Sequence, residues 1–181
     1  MIKGIASELE LLRTLKGADY IKQLKVIAGR KEFHPLESDP YIFTVGGEND
    51  ADYPNLLNAA RKAVTRGNKV YILPNPIEFR TADYIFERKG IFKMYDLKTI
   101  SGKSAVEGSL LDSIGQSNRI LISLTIDYNP VVLARSIRKY FEHNADAVEV
   151  MIYKGKKSII TVREDLLSPN FIKQFVSRYL K

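Results

Sequence analysis

Three charged residues in the stretch RTADYIFERKGIFKMYDLKT, residues 80 to 99, have the types and spacing to act together: Asp83, Asp96 and Lys98. Two carboxylates that converge can grip a divalent cation, and an ammonium beside them can steady an anionic group. The stretch reads as two β-rich runs, ADYIFER and IFKMYDLKT, separated by Lys89-Gly90. If those two residues form the loop of a hairpin, Arg88 faces Ile91, and stepping back along both strands sets Asp83 opposite Asp96. Opposed residues share a face, with Cβ atoms about 4.5–5.5 Å apart, close enough to hold one cation. Alternation along a strand keeps Asp96 and Lys98 on that face and turns Leu97 and Thr99 to the other. A three-residue loop would shift the register by one and separate the acids, so the inference depends on the turn. Facing carboxylates repel each other, and a bound metal ion compensates for the repulsion. The alternative leaves Asp83 in water at the strand entrance and pairs Asp96 with Lys98 or Lys93 on the surface.

The elements around this hairpin follow from local signals. SELELLRTLKG has apolar positions at helical spacing after a serine able to cap, and a glycine at its end, which predicts a helix over Ser7 to Lys16. DYIKQLKVIAG is compatible with helix or strand. RKEFHPLESDPYIFTVGGEND reads as a loop around a short strand at Tyr41 to Val45. Pro54 opens a helix through NLLNAARKAVTRG, and NKVYILPNP is a strand stopped by prolines. After the hairpin, SAVEGSLLDSIGQ reads as a helix, NRILISLTI as a buried strand and VVLARSIRKYFEHN as a helix. AVEVMIYKG and KSIITV read as strands, with a last helix from Pro169 onward. The expected fold is α/β: a mixed β-sheet with a central hairpin flanked by helices, an αβββαβ core with appended α/β elements. Residues 1 to 53 are expected to be a helical and loop segment packed on or leading into a domain of residues 54 to 181.

Cysteine is absent, so any bound metal must be held by oxygen or histidine, which points to Mg2+ or Mn2+. No window offers the roughly eighteen uninterrupted apolar residues of a membrane span, and MIKGIASELELLRTLKG is too charged in its middle for a secretory signal. The formal charge of +7 is uneven: residues 1 to 53 carry 7 Lys+Arg against 9 Asp+Glu, and residues 54 to 181 carry 21 against 12. A basic body favours encounters with polyanions such as nucleic acid.

The order Asp, hairpin, Asp-x-Lys, helix and strand resembles the PD-(D/E)XK nuclease superfamily. More narrowly, ADYIFERKGIFKMYDLKTISGKS followed by SIGQSNRILI is similar to the C-terminal nuclease domains of contact-dependent growth inhibition toxins, many of which cut tRNA. The resemblance covers roughly residues 54 to 160. It implies that Asp83 is the hairpin acid, Asp96 the second acid and Lys98 the motif lysine, with Gln116 the polar residue directed toward the site. It further implies Mg2+ (or Mn2+) at Asp83 and Asp96, RNA and in particular tRNA as the substrate, and an acidic immunity protein as a partner. Action in the cytoplasm, after delivery from another cell within a larger protein, belongs to the same expectation. The superfamily often adds a glutamate from the helix before the sheet, and NLLNAARKAVTRG has no acid. Glu48 or Asp52, just upstream, could substitute.

Residues outside the hairpin extend this reading. Lys103 and Ser104 lie in TISGKSAVEG, a loop entering a helix, where backbone N–H groups favour phosphate; the glycine that a Walker loop needs is missing. Arg80 and Arg119 are further candidates for contact with a nucleic-acid backbone, and Thr99 joins them if the strand ends there. Arg135, Arg138 and Lys139 share a predicted helix with Tyr140 and Phe141, read either as a stacking and phosphate surface or as core aromatics. Two rivals stay open. One is a metal-independent, barnase-like ribonuclease using His34 or His143, although His143 also suits the last turn of a helix. The other is a non-catalytic nucleic-acid-binding domain of the same fold.

Overall fold

The computed structural model describes residues 3–46, 51–75, 80–102 and 106–181. The described residues contain eight strands, paired in both parallel and antiparallel fashion, and six α-helices, the mixed α/β arrangement expected. The chain divides into two compact units, residues 1–96 and 97–181.

The first unit opens with α1 (Lys3–Leu12) and α2 (Gly17–Ala28), so the ambiguous DYIKQLKVIAG is helical. Helix α1 starts four residues before the predicted Ser7 and stops short of Lys16. Beyond Leu12 the chain tightens, with Arg13 and Thr14 N–H bonded three residues back to Glu10 and Leu11. Ile5, Leu9 and Leu12 pack with Tyr20, Leu24 and Ile27 and with Ile85 and Met94 of the hairpin. Those spacings of three and four place each apolar set on one helix face, and burying them against the sheet is what stabilises helices this short. Arg30 draws the segment together by pairing with both Glu8 and Glu32.

Two short strands, β1 (His34–Pro35) and β2 (Ile42–Thr44), pair antiparallel. Helix α3 (Tyr53–Val64) carries the chain across to β3 (Lys69–Ile72), which lies parallel to β2. Pro54 occupies its first turn, and Ala59, Ala60 and Ala63 give it a small-residue buried face. Strand β4 (Tyr84–Arg88) runs antiparallel to β3, and β5 (Ile91–Ile100) antiparallel to β4.

The second unit contains the end of β5, α4 (Val106–Asp112) and β6 (Arg119–Leu124). Helix α5 (Pro130–His143) crosses over to β7 (Glu149–Lys154), parallel to β6, and β8 (Lys157–Val162) returns antiparallel. A 3-10 turn, Arg163–Leu167, leads to α6 (Phe171–Leu180). Asn129 caps α5, its Oδ1 accepting from the N–H groups of Val131 and Val132 at 2.9 and 3.2 Å, with Pro130 just inside. At the other end Arg163 donates to the carbonyl of Phe141, which the helix terminus leaves without an intrahelical partner, to that of the C-cap residue Asn144, and to that of Ala147 beyond the helix. Tyr140 and Phe141 are 0% and 1% exposed, so the aromatics of RSIRKYFEH are core. Tyr179 of α6 accepts from the Tyr128 N–H and donates to Asp127, while the Lys154 ammonium sits 3.7 Å from its ring centroid.

Candidate active site on the central hairpin

The turn on which the site depends has two residues. Arg88 pairs with Ile91, and Lys89 and Gly90 have φ of +52° and +77°. Left-handed conformation at both central positions is the type I′ turn, whose twist matches that of paired strands. The Glu87 carboxylate reinforces it by accepting from the Gly90 N–H at 2.8 Å. The ladder then follows the expected register as far as Tyr84 opposite Tyr95.

One residue further the backbone changes. The Asp83 N–H donates to the Tyr95 carbonyl at 3.0 Å, so Tyr95 is opposed by both Asp83 and Tyr84, the two-against-one arrangement of a β-bulge. The Asp83 carbonyl meanwhile accepts from the Leu73 N–H of the neighbouring chain segment at 2.8 Å. Asp83 is thus held by hydrogen bonds on both sides at the end of β4, where a bulge re-aims a side chain. Simple alternation carried no sign of this departure.

Asp96 is 2% exposed, so this carboxylate lies in the interior and not on the surface. Its strand neighbours Met94, Tyr95 and Leu97 are buried as well. A carboxylate taken out of water among apolar groups requires compensation by opposite charge or hydrogen bonds. Lys98 lies two residues on along the same unbroken strand and is half-buried. Asp83 is half-buried too, so the candidate group borders solvent. Just before it, Thr81 is 6% exposed, and its hydroxyl has no hydrogen-bond partner among the described residues. This buried hydroxyl two residues from Asp83 is a candidate that the sequence did not single out; a threonine in a loop carries no signal of burial.

The other expected residues have these places. Gln116 is buried, and its Nε2 donates to the Asp112 carbonyl at 3.0 Å, satisfying the end of α4. Arg119 begins β6 directly across from Glu149 of β7, its Nε 3.9 Å from a carboxylate that is itself buried. Thr99 is half-buried on β5, and Arg80 is exposed. Glu48, Lys103 and Ser104 lie outside the described residues. Asp52, the other candidate third ligand, is exposed at the start of α3 and accepts from Asn55 Nδ2 at 2.8 Å. Both histidine rings meet backbone carbonyls, His34 that of Glu32 at 3.2 Å and His143 that of Lys139 at 2.8 Å.

Among the described residues, no group of three or more His, Cys, Asp or Glu side chains could hold a metal ion. Carboxylate oxygens nevertheless suit Mg2+, which keeps several of its waters and needs one or two protein carboxylates. The chemistry of the donors at Asp83 and Asp96 therefore fits that ion. No helix among the described residues is long and apolar enough to cross a membrane.

No protein-family model matches the chain, and no curated protein matches it. Among solved structures, it is similar to the CdiA-CT/CdiI toxin and immunity complex from Burkholderia pseudomallei, with a TM-score of 0.47 and 13% sequence identity. That similarity covers 61% of this chain and 84% of the other.

Proposed function

We propose that this chain is a metal-dependent nuclease that hydrolyses phosphodiester bonds with Asp83, Asp96 and Lys98. The observation that carries the reading is the two-residue turn at Lys89-Gly90. It sets a register in which a buried aspartate and a lysine two residues on face one way, with a second aspartate one step beyond the ladder. Asp83 and Asp96 would hold Mg2+ (or Mn2+), which supplies a bound water of lowered pKa and polarises the scissile phosphate.

The chain's own residues do the rest. Asp96, fixed in the middle of a long strand, provides a carboxylate whose position changes little when substrate arrives. Asp83, held at the end of β4 by backbone hydrogen bonds to Tyr95 and Leu73, brings the second carboxylate. The Lys98 ammonium orients the attacking water or neutralises charge growing on the phosphorus oxygens. Gln116 assists only if its amide oxygen reaches the substrate, since its nitrogen serves α4.

RNA, and tRNA in particular, is the substrate class that the sequence resemblance favours. With it goes a role as a toxin delivered between cells and restrained by an acidic immunity protein, which would complement the net positive charge. The test is incubation of the purified protein with total tRNA, plasmid DNA and single-stranded DNA, each with Mg2+ and with EDTA. Cleavage of tRNA in Mg2+ that EDTA abolishes supports the reading. Cleavage that survives EDTA moves the chemistry to a metal-independent ribonuclease, and no cleavage of any substrate leaves a binding domain.

A further inference from the structure

The net charge of the second unit is confined to one part of it. Residues 97–181 carry 13 Lys+Arg against 8 Asp+Glu, a net +5. Residues 97–153 carry 6 of each, so the whole excess lies in residues 154–181, with 7 Lys+Arg against 2 Asp+Glu. Lys154 is engaged by Asp127, Arg163 by three carbonyls and Arg178 by Asp165, yet pairing within the unit leaves the sum unchanged. The surplus belongs to β8 and the segments that flank it in sequence. Among the described strands β8 pairs with β7 alone, at the end of the strand order.

The register tells which backbone groups of β8 turn outward. Lys154 and Lys157 close a two-residue loop, Gly155-Lys156, and the closing pair of such a hairpin exchanges both of its hydrogen bonds. Alternation then turns the N–H and C=O of Lys157, Ile159 and Thr161 to β7, and those of Ser158, Ile160 and Val162 away from it. Two contacts agree with this assignment. The Val162 N–H donates to Asp165 Oδ2 at 3.0 Å, and the Ile160 carbonyl accepts from Arg178 Nη1 at 2.9 Å. Those bonds close the far end of the edge. At the near end, the N–H and C=O of Ser158 and the N–H of Ile160 have no partner among the described residues, and both residues are exposed. An open edge is a template for another strand unless something blunts it. The six pairings of β8 are unbroken, without proline or bulge. What guards its start is charge, Lys156 and Lys157, which repels a basic strand and attracts an acidic one.

We propose that β8 docks an extended acidic segment of another protein, laid antiparallel along residues 157–160 as an added strand. Such a segment exchanges two hydrogen bonds with Ser158 and accepts a third from the Ile160 N–H. Its carboxylates lie near Lys156 and Lys157, and one apolar side chain packs beside Ile160, which is 43% exposed. A second copy of this chain suits the edge less well, because its own β8 brings the same positive charge. Nucleic-acid phosphates suit it less well too, since they offer no donor to the Ser158 carbonyl and gain nothing from Ile160. The docking strand uses neither hairpin carboxylate, so it stands or falls apart from the nuclease reading.

The test is an NMR titration of the isotopically labelled full chain with a capped peptide, Glu-Ile-Glu-Val-Glu-Thr-Glu. One control peptide has lysine for each glutamate, and the other has proline for the central valine. The acidic peptide is expected to shift the Ser158 and Ile160 amides and to slow their hydrogen exchange by about tenfold or more. Both controls should bind about tenfold or more weakly, one through charge and one through a lost strand. In the protein, Ser158→Pro removes a bonding group from the edge, and circular dichroism checks its fold. The double variant Lys156→Glu and Lys157→Glu inverts the charge without touching the backbone, and decides the matter if the proline variant does not fold. Each should weaken the acidic peptide by about tenfold or more, and the double variant should favour the lysine peptide. Equal binding of the acidic and lysine peptides, shifts confined to other amides, or unchanged affinity in the double variant overturns the proposal. So does a dimer, seen by light scattering, in which the Ser158 and Ile160 amides are already protected. An RNA 12-mer that shifts these amides when the acidic peptide does not would likewise replace the strand with nucleic acid.

Discussion

Replacing Gly90 with alanine should destabilise the protein although the new methyl group touches nothing. The position a Cβ would occupy has no heavy atom within 4 Å, and alanine keeps the N–H that Glu87 accepts. The penalty is therefore conformational: at φ +77° an L-residue loses about 1–2 kcal/mol. The stiffer unfolded chain offsets about 0.4–1 kcal/mol of that, leaving a net loss near 1 kcal/mol. For a chain of this size the loss lowers Tm by roughly 2–4 °C. The adjacent Lys89, at φ +52°, supplies the opposite test. Lys89→Asn introduces a residue that tolerates this conformation and creates the preferred Asn-Gly pair, so it should raise stability by about 0.5–1 kcal/mol. Thermal and urea unfolding followed by circular dichroism measure both. If Gly90→Ala is neutral or stabilising while Lys89→Asn destabilises, the two-residue left-handed turn is wrong. The register that pairs Tyr84 with Tyr95 then falls with it.

Three further outcomes follow from the second unit. Tyr179→Phe removes the acceptor of the Tyr128 N–H and the donor to Asp127, so urea unfolding should show a loss of about 1–3 kcal/mol. Arg163→Ala strips the carbonyls of Phe141, Asn144 and Ala147 of a charged donor, and urea unfolding should show a loss of at least about 2 kcal/mol. Lys154, 3.0 Å away, and then Tyr179 hold the Asp127 carboxyl below its ordinary pKa of 3.8. Its contribution is therefore present above the unfolded-state value and is lost as pH falls through the depressed folded value. The Tm gap between wild type and Asp127→Asn should be constant near neutrality and close in acid below about pH 4. A gap that persists at pH 2 would remove the pairing from the account.

The hairpin was legible because its signals are local. Two β-rich runs divided by Lys-Gly determine the turn, and the turn determines which residues oppose each other as far as Tyr84 and Tyr95. What lay beyond was not legible, because the extra bond from Asp83 to Tyr95 depends on how β4 enters between β3 and β5. The crossover helix α3 was likewise announced by Pro54, whose fixed φ suits a first helical turn. The start of α1 was missed because Ser7 imitates a cap; the burial of Ile5 against the sheet extends the helix past it. Arg119 illustrates the limit for charged residues. Sequence offers it as a candidate contact with a nucleic-acid backbone, whereas its setting against buried Glu149 depends on the β6–β7 register, which no local pattern encodes.

The most direct test of the central claim compares wild type with Asp83→Asn and Asp96→Asn in cleavage of total tRNA in Mg2+, with unfolding curves confirming that each variant is folded. The account predicts that wild type cleaves and that both folded variants lose cleavage. A folded Asp96→Asn variant that cleaves at the wild-type rate would contradict it.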